Sequence, residues 1–181
     1  MARTRRKAAP PSTVSRAALL VDGSDTEFRS LIHDLIAYGH RLDAIRDMFA
    51  AIAGISGAQY EILMLVSRSE GLSVGEVASR LHRSGAFITI EANKLVARDI
   101  LQKASDPGDG RKVILQANEK SIELLERLAP FQRRANDTLF ERLDAKRFRE
   151  VRALARDLVA CGDRALVMLQ FMLHEAKSDA A

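Results

Sequence analysis

Cysteine is almost missing from these 181 residues: Cys161 stands alone, tryptophan is absent, and aromatic residues make up only 5%. A single thiol cannot close an intramolecular disulfide, so the chain is not a disulfide-stapled secreted domain, and it fits a reducing, cytoplasmic setting. Cys161 falls in a helical apolar pattern, where it is expected as a small filler rather than a redox group. Proline occurs four times and glycine ten, too few for a turn-dense sandwich of short strands, which favours helices. No apolar run approaches the ~20 residues that a membrane span needs. No uninterrupted apolar stretch follows the basic N-terminus, so no secretory signal is expected either.

Catalytic patterns are missing as well. There is no phosphate-cradling Walker loop, no G-x-G-x-x-G, no G-x-S-x-G and no C-x-x-C, so no enzyme and no cofactor are expected. The histidines are His33, His40, His82 and His174. The first two lie seven apart on one helix, two turns away from each other and too far to chelate one ion, so no metal site is expected. Asp106 and Asp109 belong to a turn and not to a catalytic dyad.

The content that is present is that of a folded helical protein. Apolar residues are 47% and charged residues 29%, with 28 Lys and Arg against 24 Asp and Glu, a net charge of +4. That balance leans weakly toward an anionic partner. Residues 1–23 are expected to be a basic tail. Arg3, Arg5, Arg6, Lys7 and Arg16 meet no acid until Asp22, and Pro10-Pro11 prevents helix there. Such an arm could reach phosphates or the minor groove, or could be a disordered solubilising end.

Residues 24–55 are expected to form a long first helix. Ser24-Asp25-Thr26-Glu27 reads as a capping box, and the apolar positions from Phe28 to Ile52 are spaced for a helix with a broad apolar face. Gly54 ends it. Ser56-Gly57-Ala58-Gln59 and Ser73-Val74-Gly75-Glu76 are two further capping boxes, each placed where the apolar pattern restarts. Ser84 then caps a helix whose buried stripe is Ile88, Ala92 and Leu95. Its other side carries Arg83, Ala86, Phe87, Ile90, Asn93 and Lys94. Outward Phe87 and Ile90 would suit thymine methyl groups in a major groove, or they would pack against a neighbouring helix. Ile100-Leu101, the turn Asp106-Pro107-Gly108-Asp109-Gly110, and Arg111-Lys112-Val113-Ile114-Leu115 read as a hairpin with basic residues at its base.

Helix, turn, helix and a two-stranded flap make a winged helix-turn-helix, expected over 56–117. From 118 to 176 the pattern is helical, with Ile122, Leu125 and Leu128 on the apolar face, a break or kink at Pro130, and Asp144 capping the last helix. Residues 177–181 are expected to fray. Long amphipathic helices outside a small DNA-binding module need a partner surface, and a second copy of the chain is the simplest. The expected fold class is therefore mainly α, a winged helix-turn-helix flanked by N- and C-terminal dimerisation helices.

Over roughly residues 26–175 the chain resembles the MarR family of bacterial transcription regulators. Asp106-Pro107-Gly108-Asp109-Gly110-Arg111 is similar to that family's D-P-x-D-x-R hairpin, and Leu95-Val96-Ala97-Arg98-Asp99-Ile100-Leu101 to its exit from the recognition helix. The resemblance implies a dimer on palindromic double-stranded DNA, acting as a repressor that a small aromatic or phenolic acid releases. The DNA-contacting residues are then Arg83, Ser84, Ala86, Phe87, Thr89, Ile90, Lys94, Arg98, Arg111 and Lys112. At the places where the family binds effectors stand Tyr38, His40, Arg41 and Tyr60. The chain departs from the family pattern in three ways. Gly108 and Gly110 occupy the wing tip, Asp99 replaces a glycine, and Ile90 and Glu91 differ in polarity, with Glu91 repelling phosphate unless it reads a cytosine amino group or pairs with a neighbour such as Lys94. A winged-helix adaptor that binds protein through Phe87 and Ile90 is the alternative reading.

Overall fold

A computed structural model describes residues 10–106, 108–110 and 112–179. Arg111, Pro107 and the arginines of the first nine residues lie outside the described residues. Among the described residues there are six α-helices and three short strands: α1 Thr26–Ala53, α2 Gly57–Val66, β1 Leu72–Ser73, α3 Val74–Arg80, α4 Gly85–Ala97, β2 Leu101–Ser105, β3 Val113–Ala117, α5 Glu119–Leu139 and α6 Ala145–Ser178. The chain divides into two units after Gln132. No single helix among the described residues is long and apolar enough to cross a membrane.

The first unit is built from local signals in the sequence. Ser56 accepts from the amide of Gln59 while Gln59 accepts from that of Ser56, and Ser73 and Glu76 do the same, so both boxes form and start α2 and α3. The first expected box does not form. α1 begins one residue later, at Thr26, because the Asp25 carboxylate is turned away to Thr13 N and Oγ1 (2.7 and 2.8 Å) and Arg29 Nε (3.0 Å). Those bonds, with Arg29 donating to the Pro11 carbonyl at 2.7 Å, pin part of the expected tail onto the start of α1. The Thr13 hydrogen bonds, with lesser help from Arg29, hold the Asp25 carboxyl at a pKa of about 2.

Three helices end in the same way. An amide two or three residues beyond the helix bonds back to the carbonyl five before it, just after a left-handed residue. Ile55 bonds to Ala50 O across Gly54 (φ +68), Arg83 to Ala78 O across His82 (φ +50), and Ile100 to Leu95 O across Asp99 (φ +58). Glycine fills the first of these positions at no steric cost. His82 and Asp99 hold it with a side chain, the conformation that the glycine-to-aspartate departure at residue 99 demands.

The sheet has one strand more than expected. β3 lies in the middle of the order β1-β3-β2, antiparallel to both, with Leu72 opposite Leu115 and Lys103 opposite Leu115 on the other side. Gly71 makes the added pairing possible: at φ +147 it passes so close to Ile114 that a Cβ would sit 2.4 Å from Cδ1. The core is filled by Phe49, Ile62, Leu63, Val66, Val77, Ile88, Leu95, Leu101, Leu115 and Leu128, all buried. α4 packs on α2, α3 and β2.

α5 departs from expectation twice. Its buried stripe is Ser121, Leu124 and Leu128, while Ile122 is exposed. The helix also continues through Pro130, which has no N–H to give Glu126. Both residues are exposed, so water can serve that carbonyl. The start of α5 is fixed to the end of α4. Asn118 and Ser121 cap each other, Asn118 Nδ2 donates to Asp99 O at 3.0 Å, and the buried Ser121 hydroxyl donates to Ile100 O.

In the second unit Asp144 caps α6, accepting from Arg147 N at 2.8 Å. None of the 34 residues of α6 is buried, although Phe148, Leu154, Leu158, Leu166, Leu169 and Phe171 recur along it. Cys161 is exposed as well, accepting a bond from Arg164 at 3.1 Å, and so it is not the core filler expected.

Candidate nucleic-acid interface

α4 is placed by one stripe and presents the other. Ser84 accepts from Phe87 N at 3.2 Å and starts the helix. Ile88, Glu91, Ala92 and Leu95 face inward, and Arg83, Ser84, Ala86, Phe87, Thr89, Ile90, Asn93 and Lys94 are exposed. Phe87 and Ile90 are both exposed, with 38% and 56% of their surface open. The Arg83 guanidinium stands 5.8 Å above the Phe87 ring, within cation–π range.

Glu91 does not face outward. It is buried, accepts from Gln59 Nε2 at 2.9 Å and pairs with Lys94 Nζ at 2.6 Å. The Lys94 hydrogen bond is the main reason its carboxyl stays charged below the ordinary range, with Gln59 adding to it and burial opposing. The expected repulsion of phosphate is thereby removed: the acid mounts α4 on α2 and its charge is covered by Lys94.

The other expected DNA contacts divide. Thr89 is on the open face, its hydroxyl donating to Gly85 O at 2.8 Å. Lys112 is exposed at the wing, 3.7 Å from Asp109. The wing turn is closed by Asp106, which accepts from Gly108 N at 2.7 Å and Asp109 N at 3.3 Å. Arg98 lies at the opposite end of α4 from Ser84, where its guanidinium donates to Gly54 O at 2.8 Å and so ties α4 to the end of α1.

The four expected effector residues do not converge. Tyr60 is core: its ring lies 6.0 Å from that of Phe49, and its hydroxyl accepts from Gln132 at 2.8 Å. Tyr38 is eleven residues before Phe49 on α1, roughly 16 Å along the axis at 1.5 Å per residue. Arg41 is exposed and donates to Ala37 O at 2.7 Å, and His40 is exposed beside it. Burial raises the Tyr38 hydroxyl's pKa, which leaves it a neutral donor.

A cleft not anticipated from the sequence has the chemistry these four lack. Ala53, Ile100 and Leu124 give it apolar lining and Arg98, Lys120 and Arg127 cationic lining, around 330 Å³. Lys120 donates to Arg98 O at 3.0 Å. No ion pair joins any of the three cations to an acid among the described residues. The positions 120, 124 and 127 share one face of α5, a spacing visible in the sequence, but only the fold brings Arg98 opposite to them.

A capped helix-turn-helix followed by an antiparallel wing defines a winged-helix DNA-binding domain. The sequence profile of the MarR family matches residues 53–112, the span from the end of α1 into the wing. The chain is 26% identical over 104 residues to the HTH-type transcriptional regulator YhbI of Bacillus subtilis, covering 58% of this chain and 68% of that protein. Its fold is that of CouR from Rhodococcus jostii in complex with p-coumaroyl-CoA (TM-score 0.67, 18% identity, 75% of this chain and 95% of that one). It is likewise that of Bordetella bronchiseptica BpsR, whose DNA binding is regulated by 6-hydroxynicotinic acid (TM-score 0.58, 22% identity, 72% of this chain and 98% of that one). The match to the MarR family is confined to residues 53–112, and with the fold it makes that span a winged helix of the DNA-binding kind found in that family.

Proposed function

We propose that this protein acts as a homodimeric repressor on a palindromic operator, and that an anionic, aromatic small molecule lowers its DNA affinity. The observation that carries the reading is α4 itself. It is locked from behind by Ile88, Glu91, Ala92 and Leu95 while Arg83, Ala86, Phe87, Thr89, Ile90, Asn93 and Lys94 stand open in front. In this reading residues 56–117 bind DNA. Arg83, Ser84, Ala86, Phe87, Thr89 and Ile90 meet base edges, and Lys94 and Lys112, with Arg111, meet phosphates. Residues 24–55 and 118–176 hold the two copies together. The exposed apolar rows of α6, and Leu31, Ile32, Leu35 and Ile36 on α1, supply surface for that contact.

The effector reading is supported by the cleft between Ala53, Arg98 and Leu124, and by the acidic or acyl ligands of CouR and BpsR. A carboxylate drawn to Arg98 and Lys120 would compete with the Gly54 and Arg98 carbonyls, loosening the tie between α1 and the end of α4. The test is a mobility shift with the dimer on DNA upstream of its own gene, repeated with p-coumaroyl-CoA and 6-hydroxynicotinic acid as probes. Binding that an acid probe reverses in the wild type, but not in Arg127→Gln, is expected. A folded dimer that shifts no DNA at low salt would point to a protein partner for Phe87 and Ile90 instead.

A further inference from the structure

The outward face of α4 is poor in groups that can hydrogen-bond a base. Lys94 is engaged by Glu91 at 2.6 Å. The Thr89 hydroxyl donates its proton to Gly85 O at 2.8 Å, which leaves it an acceptor only. Ser84 accepts from Phe87 N as the helix cap, so its hydroxyl has a single proton left to offer. Among the long polar side chains that leaves Arg83 at one end of the face and Asn93 more than two turns further on. Between them run Ala86, Phe87, Thr89 and Ile90, the two large ones 38% and 56% exposed.

The floor of a major groove offers one apolar feature to such a stretch, the 5-methyl group of thymine. We infer that α4 reads its site mainly through thymine methyl groups packed on Phe87 and Ile90. Arg83, which stands over the Phe87 ring, reads a purine edge beside them. This rests on the DNA-binding reading above and sharpens it: specificity would come from apolar complementarity at the centre of each half-site rather than from a run of hydrogen bonds. Arg83 suits the arrangement because its stack on Phe87, 5.8 Å from guanidinium to ring centroid, orders the donor fork before DNA arrives. The seven steps from Ala86 to Asn93 rise roughly 10 Å at 1.5 Å each. At ~3.4 Å per base pair this face spans about three pairs.

The experiment is a selection of bound duplexes from a randomised pool with the full-length protein, followed by replacement of each selected thymine by uracil. The exchange removes only the methyl group. At the thymines beneath Phe87 and Ile90, affinity should fall about 4-fold per methyl, the worth of one buried methylene-sized group. In Ile90→Ala the thymine-to-uracil ratio at one of those positions should fall to near one, with the salt dependence of binding unchanged. Ile90→Val should keep part of the ratio, and because residue 90 is exposed neither change should disturb folding. A selected site that binds uracil and thymine alike at every position would overturn the inference and leave the DNA-binding reading standing. Failure to enrich any sequence would overturn both.

Discussion

Replacing Glu91 by alanine should cost far more than its place on a DNA-facing helix suggests. The carboxylate is buried between α4 and α2, where it accepts from Gln59 Nε2 at 2.9 Å, and Gln59 in turn completes the box that starts α2. Truncation strands a buried amide donor, at about 1–3 kcal/mol. The pair with Lys94 adds little, because that lysine side chain is 56% exposed, and such pairs contribute about 0–1 kcal/mol. With a urea dependence of about 1–3 kcal/mol per molar, the unfolding midpoint should drop by roughly 1 M at fixed protomer concentration. Glu91→Gln keeps an acceptor for Gln59 and should lose under ~1 kcal/mol.

The pH dependence has a definite sign. The folded carboxyl titrates below its ordinary 4.5. Its contribution is therefore complete above about 4.5 and is lost as pH falls through the lower folded value, so Glu91→Gln should flatten the acid side of the stability curve. Equal losses in Lys94→Ala and Glu91→Ala would refute the reasoning, since the surface pair would then carry what is assigned to the buried one.

Gly71→Ala should lower stability by more than ~1 kcal/mol, read as a fall of several degrees in Tm, because it adds a Cβ 2.4 Å from Ile114 at φ +147. Asp99→Gly should leave Tm unchanged or raise it, since the left-handed turn at φ +58 is kept without side-chain strain, whereas Asp99→Val should lower it. Leu158→Glu together with Leu169→Glu, on the exposed row of α6, should shift the sedimenting species to the single-chain mass of 20.0 kDa. An unchanged dimer would place the interface elsewhere.

Where the sequence was legible, the signal was local. Ser56, Ser73, Ser84 and Asp144 cap within three residues of themselves, so their patterns carry their own geometry. Ile88, Ala92 and Leu95 show the buried stripe of α4 by spacing alone. What escaped depends on partners distant in the chain. Ser24 lost the start of α1 because Asp25 turns to Thr13. The two-residue β1 exists only because β3 lies beside it. Glu91 is drawn inward by a glutamine 32 positions away, and Arg98 is taken up by a carbonyl 44 positions away. Tyr60 and Tyr38 are paired by the family resemblance alone, which carries no distance between them. The α5 stripe was misread by one rotation, since Leu124 and Leu125 are both leucine and only packing chooses between them.

The claim that the open face of α4 enters DNA is tested most directly by a footprint of guanine N7 methylation, a major-groove position, on a bound operator. Two protected patches about one helical turn apart are expected, one for each recognition helix of the proposed dimer, with protection weakened by Arg83→Ala. Saturable binding that leaves every major-groove position reactive would contradict the account.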